Sequence, residues 1–294
     1  MYGQQCRMPE LPEVEHVRRS LRGPVIGAQV QRVIIRRADV AWSGRAGRPA
    51  SAVELLDGAR ISAIHRHGKQ LGIVAEDGRA MCVQLGMTGG MLVPPNAQAV
   101  AALDHAHVIW ELNHHAHERA GRFLVFRDPR RFGGITCYPS LLALRRERWN
   151  RLGPDALRIN AGALAAAVAG SRRAVKCVLL DQKLIAGVGN IYADEALFRA
   201  GVSPRRRASL LRPPDIERLS EAIRTVLAAA VNAGGSTIRD YRDSSGQSGT
   251  FQSRHLVYGR AGLACTACGS TLRKLVVAQR TTVMCPRCQG LARR

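Results

Sequence analysis

The chain has 294 residues, enough for two or three ordinary domains, and its 46% hydrophobic content can supply genuine cores. Lysine and arginine total 44 against 22 acidic residues, and the net charge of +22 exceeds what solubility asks and matches a binder of phosphate backbones. No apolar run approaches the roughly 20 residues a membrane helix needs, and residues 1–7 lack a secretory core, so no membrane partner and a cytoplasmic location are expected.

In chain order, Pro9-Glu10-Leu11-Pro12-Glu13 opens a helix with Leu11, Val14, Val17 and Leu21 on one face, ending before Gly23-Pro24. Taken alone, a proline-started helix with acids in its first turn is ordinary dipole chemistry. From about 28 to 138 the pattern predicts strands at 30–35, 60–64, 71–75, 81–85, 107–112 and 123–126, an antiparallel sandwich or barrel. Residues 113–121 read as a lengthened hairpin. The five histidines between 105 and 117 have no acidic or cysteine partner at a recognisable metal spacing.

Residues 139–153 read as a basic helical connector closed by Gly153-Pro154. Helices are predicted over 161–169, 174–180, 191–200 and 215–232. Glycine and serine cluster at Ser244–Thr250, which reads as a mobile loop, and strand signals return weakly around Val257 and in the last thirty residues. Cys6, Cys82, Cys137 and Cys177 stand alone and are expected to be reduced and mostly buried. Cys265-Thr-Ala-Cys268 and Cys285-Pro-Arg-Cys288, sixteen residues apart, place two pairs of thiolates on tight turns, the donor set of one tetrahedral zinc. Four cysteines leave no open coordination position, so such a zinc is structural. Two disulfides are the alternative reading.

Five segments in order, Met8–Glu15, Leu85–Gly89, Asp128–Gly133, Gly187–Tyr192 and the hairpin ending in Gln279-Arg280, closely resemble the formamidopyrimidine-DNA glycosylase family. The resemblance implies an α+β multidomain protein. Its parts would be an N-terminal antiparallel β-sandwich with a leading helix (8–138), a helical helix–two-turn–helix domain (139–250) and a zinc-finger β-hairpin (255–294). It implies a monomeric base-excision repair enzyme acting on double-stranded DNA that contains oxidised bases or abasic sites. Such an enzyme excises 8-oxoguanine and formamidopyrimidines through a Schiff base, then cuts the strand by β,δ-elimination.

By the same resemblance Pro9, freed as the N-terminus, is the nucleophile and Glu10 its acid/base; Lys69 assists strand elimination, and Arg280 contacts phosphate and assists the second elimination. Met87, Arg130 and Phe132 match the wedge that fills the space left by a flipped nucleotide. Asn190 matches a phosphate contact at a helix start, with His105, Arg172 and Lys176 as weaker contacts to backbone or lesion. Two departures stand out. Residues 1–7 would lock the Pro9 nitrogen in an amide, so a start at Met8 is expected, and Gln84 stands where histidine is common in the family. The competing readings are an endonuclease VIII-like enzyme for oxidised pyrimidines and a non-catalytic zinc protein that binds damaged DNA.

Overall fold

The computed structural model describes residues 9–44, 46–113, 122–236, 244 and 249–290. The chain divides into two compact units. One holds 7–151 with 234–249, and the other holds 152–233 with 250–294.

The first unit begins with α1 (Leu11–Val25), whose Leu11, Val14, Val17, Leu21 and Val25 are buried. The helix passes through Gly23-Pro24, where the sequence predicted its end, because Val25 belongs to the core. Pro24 lies in the last turn, and the Ile26 N–H still reaches Arg22 O before Gly27 turns away with φ +85°.

Two sheets follow. One orders β1 (Gln29–Ile35), β7 (Ala106–Asn113), β8 (Phe123–Arg127) and β6 (Gly90–Leu92). The other orders β2 (Ala41–Ser43), β9 (Gly134–Tyr138), β5 (Ala80–Gln84), β4 (Gln70–Ala75) and β3 (Ile61–His67). The named strand pairs are antiparallel except the parallel β2–β9 pair, which departs from a purely antiparallel sandwich. Leu21, Leu71, Ile73, Trp110 and Phe126 share one core with no exposed surface. Five-residue α2 (Ala97–Ala101) is capped by the Asn96 side chain. Part of the 113–121 hairpin, with His114, His115 and His117, and most of the Ser244–Thr250 loop lie outside the described residues.

The stretch expected as a connector instead packs on the second sheet. In α3 (Leu141–Glu147), Leu144 is buried, and the Arg148 side chain beyond it donates to Gln70 at 3.0 Å and Gln84 at 2.7 Å. A methyl group on Gly72 of β4 would come within 2.8 Å of the Trp149 ring, so only glycine leaves room for it.

The second unit contains α4 (Ala161–Val168), α5 (Val175–Leu180), α6 (Asn190–Arg199) and α7 (Pro213–Asn232), close to the predicted spans. Helix α7 packs against α4 and α6. Between α5 and α6 the Gln182 side chain donates to Leu180 O and Val188 O and accepts the Gly187 N–H, fixing the two turns. The strand expected around Val257 is absent. There the Glu195 carboxylate accepts the N–H groups of residues 256, 257 and 258, so no strand partner is needed. The hairpin of β10 (Arg273–Val277) and β11 (Arg280–Met284) packs on α6. Among the described residues no helix is long and apolar enough to cross a membrane.

Candidate active site and nucleic-acid interface

Pro9 and Glu10 are both buried at the start of α1. Glu10 is the N-cap, and its backbone N–H donates to Glu13 Oε2 at 2.8 Å. Glu13 Oε1 accepts the Ser236 N–H at 2.7 Å, so one carboxylate fixes both the helix start and the loop beginning at 234.

Lys69 lies with Gly68 in the tight β3–β4 turn and is half-buried. The turn is tied back to α1. Arg66 donates to Gly68 O at 2.9 Å and pairs with Glu15 at 3.0 Å, and Glu15 also binds Arg18 and Arg19. Burial alone would raise the Glu15 pKa, but Arg18, Arg66 and Arg19 together hold it down at about 2. Sequence reading missed Glu13, Glu15 and Arg66. Only the acid at the third helical position, a capping-box signal, was there to be found.

The wedge candidates stand on two facing loops, 85–89 and 128–133. Phe132 is 54% exposed, Arg130 lies over its ring at 4.7 Å, and Met87 is half-buried. An apolar ring held in solvent under a guanidinium is unusual for a side chain with no partner to meet. His105 is exposed with φ +61°, Arg131 has φ +56°, and both line a basic cleft of about 440 Å³ with Arg36 and Arg37. Asp39 pairs with both Arg37 and Arg131; Arg37 and, less, Arg131 hold its carboxyl at about 2.

In the second unit Arg172 is exposed ahead of α5. Asn190 opens α6, where it was expected, and its Nδ2 donates to Thr281 O at 3.0 Å while its buried Oδ1 has no partner among the described residues. Lys176 does not fit the expected contact with backbone or lesion. It has no exposed surface and spends its ammonium on Asp194 at 2.6 Å and Thr282 Oγ1 at 2.7 Å. The other Asp194 oxygen accepts the Val283 N–H at 3.1 Å, so the pair bolts α5 and α6 to β11. Burial pushes the Asp194 carboxyl up to about 6, with Lys176 opposing.

Arg280 is exposed and opens β11 after a two-residue turn, Ala278-Gln279, in which both residues have positive φ. That turn holds the hairpin in the right-handed twist strands prefer. The sulfur atoms of Cys265, Cys268, Cys285 and Cys288 all lie within 4.8 Å of one another, with 3.4 Å between Cys268 and Cys285 and 3.9 Å between Cys265 and Cys288. Zinc–sulfur bonds of about 2.3 Å in a tetrahedron put sulfurs about 3.8 Å apart, so the four thiolates fit the metal. Cys82 and Cys137 are buried and Cys177 is half-buried.

Three family models match the chain in order. The formamidopyrimidine-DNA glycosylase N-terminal domain matches residues 8–135, the formamidopyrimidine-DNA glycosylase H2TH domain 152–242, and the zinc finger found in FPG and IleRS 262–290. A formamidopyrimidine-DNA glycosylase of Paracoccus denitrificans is 39% identical across 96% of this chain and 100% of its own length. The crystal structure of MutM (Fpg) from Thermus thermophilus is similar at TM-score 0.80 and 42% identity, covering 97% of this chain and 100% of that one. A point mutant of Lactococcus lactis FPG in complex with a Fapy-dG containing DNA is similar at TM-score 0.83 and 29% identity, over 96% and 100%.

Proposed function

The chain belongs to the formamidopyrimidine-DNA glycosylase family, and from that premise we propose that Pro9, Glu10, Lys69 and Arg280 carry its chemistry. It is a DNA glycosylase and abasic-site lyase that acts on duplex DNA containing oxidised purines or abasic sites. One structural zinc sits on Cys265, Cys268, Cys285 and Cys288. The zinc supplies folding free energy to the hairpin and no chemistry at the sugar.

The observation that carries the assignment is Glu10, buried as the N-cap of α1 directly after Pro9 and held by Glu13. The Pro9 nitrogen attacks the sugar C1′, the glycosidic bond breaks, and the departing base takes a proton. Glu10 protonates the ring oxygen as the sugar opens to an iminium. Loss of a C2′ proton then expels the 3′ phosphate, with Lys69 beside the developing charge. A second elimination expels the 5′ phosphate, and there the cation of Arg280 offsets the charge. Met87, Arg130 and Phe132 fill the vacated stack, Asn190 contacts a backbone phosphate, and His105 and Arg172 contact the backbone or the lesion. Lys176 is left as a structural residue. The partition into 8–138, 139–250 and 255–294, a monomeric state and a cytoplasmic location belong to the same reading.

The experiment is borohydride trapping with a duplex carrying 8-oxoguanine opposite cytosine. A chain translated from Met8, and so able to expose Pro9, forms a covalent adduct located on Pro9 by mass spectrometry. A chain retaining residues 1–7 does not, and Glu10→Gln loses base excision while still binding the lesion. An adduct on Lys69, or equal trapping with residues 1–7 present, refutes the assignment.

A further inference from the structure

The two wedge-bearing loops are joined through one buried carboxylate. Asp128 has no exposed surface, and its Oδ1 accepts the Thr88 hydroxyl at 2.5 Å and the Arg130 N–H at 3.2 Å. Its Oδ2 accepts the Gly133 N–H at 2.7 Å. Thr88 Oγ1 in turn accepts the Arg130 N–H at 3.2 Å. The backbone of Asp128 is committed as well. Its carbonyl takes His107 Nε2 at 2.8 Å and the Arg131 N–H at 3.2 Å, and its own N–H reaches His105 O at 3.2 Å. The loops also touch directly, since a methyl group on Gly86 would collide with Gly133 N and one on Gly133 with Gln84 O.

A carboxylate out of water is tolerated only while its hydrogen bonds are all made. Sliding one loop past the other breaks the Thr88 bond and leaves a fully buried carboxylate one hydrogen bond short, so the loops have one favourable relative position. Met87 is the residue before Thr88, and Arg130 and Phe132 lie inside the span Asp128–Gly133 that the carboxylate closes.

We propose that Asp128 and Thr88 are positioning residues that make Met87, Arg130 and Phe132 enter the base stack as one body, and so set the preference for the base opposite the lesion. The proposal rests on the reading of the chain as a purine-directed glycosylase. Residues that act as a unit show it by non-additivity, because removing one already spoils the other.

The test is a double-mutant cycle of Met87→Ala and Arg130→Ala, scored on 8-oxoguanine excision opposite cytosine and opposite adenine, in the native and Thr88→Val backgrounds. In the native background the double variant should lose little more than the worse single variant. In Thr88→Val the two losses should multiply, excision opposite cytosine should fall about tenfold, and the cytosine-to-adenine ratio should shrink several-fold. Cleavage of a ready-made abasic site, which has no base to extrude, should fall by less than about threefold, and Thr88→Ser should restore the native pattern. Asp128→Asn should repeat the Thr88→Val result more strongly. Native-like excision ratios and an unchanged cycle in Thr88→Val would overturn the proposal, as would an equal fall in abasic-site cleavage, which marks a general loss of structure. A native protein that excised no 8-oxoguanine would instead overturn the functional reading. The same cycle would then be scored on preference for the base opposite an abasic-site analogue.

Discussion

The start of the sandwich unit and the hairpin end of the other unit each hold charged groups in place, by different means. In the first, α1 rests on an extensive core that includes Val17, Leu21, Trp110 and Phe126, and the charged Glu15 sits at its rim among Arg18, Arg19 and Arg66. In the second, the apolar cluster under the hairpin is Phe198, Val257, Leu272 and Val283 with two of the cysteines. A cluster that small cannot fix two strands whose outer faces are wet, so a metal and the buried Lys176–Asp194 pair supply what burial cannot. Where apolar area is plentiful, ion pairs trim a position already set. Where it is scarce, they set it.

Removing the metal should separate the two regions most sharply. Cys288→Ser or chelation should release the one zinc per chain and abolish DNA cleavage. A structural zinc site contributes on the order of 10 kcal/mol of folding free energy. The thermal transition of the sandwich unit, followed by tryptophan fluorescence from its buried Trp110, should stay where it was. A zinc-free protein with full cleavage breaks the contrast.

Next is the buried pair. Lys176→Met leaves Asp194 as an uncompensated buried charge and should cost about 3–5 kcal/mol in urea unfolding of the hairpin-bearing unit. Adding Asp194→Leu should recover only part of that loss, because it removes the uncompensated charge but leaves the buried Val283 N–H without its acceptor. A cost under about 1 kcal/mol for Lys176→Met would mean the pair anchors nothing.

Glu15 should show the smaller effect of a rim position. Its carboxyl is held at about 2, below its ordinary 4.5, so the unfolded chain binds the proton more tightly than the folded one. The stabilisation is therefore complete above about pH 4.5 and is lost as pH falls toward 2. Glu15→Gln should cost about 2 kcal/mol at pH 7 once solvent screening is allowed for, and should flatten stability between those pH values. Equal acid sensitivity in variant and native protein would show that the arginines do not act through Glu15.

Smallest of all in stability is Arg280→Ala. The side chain is exposed at the hairpin turn, so unfolding should shift by no more than about 0.5 kcal/mol. Its effect should be chemical: products should stop after the first elimination with an unsaturated aldehyde end, visible as a slower gel band. Complete second elimination in this variant would remove Arg280 from the mechanism.

Much of this was written in local pattern. Alternation and helical spacing located α1, the long strands and α4 to α7, because each buries one face and the period of burial is the period of the element. Cysteine spacing located the metal, because both thiolates of a pair must come from one tight turn. The strands β2 and β6 escaped because three residues carry too little periodicity, and β9 also escaped, a strand that draws its hydrogen bonds from β2 and β5, distant in sequence.

Where the charges go was settled only in three dimensions. In sequence, Lys176 is one basic residue among many that could meet a phosphate, while Asp128 only opens one of the motif segments. In the fold both are fully buried, and each satisfies groups that lie well apart along the chain. Likewise, Val25 carried α1 through a proline and Trp149 claimed the space above Gly72 because the core had room for them. Most elements, the zinc ligands and the motif residues could be read from the chain alone, since those depend on neighbours along it. Burial and partnership depend on neighbours in space, and a buried charge follows whichever partner the fold brings within hydrogen-bond reach.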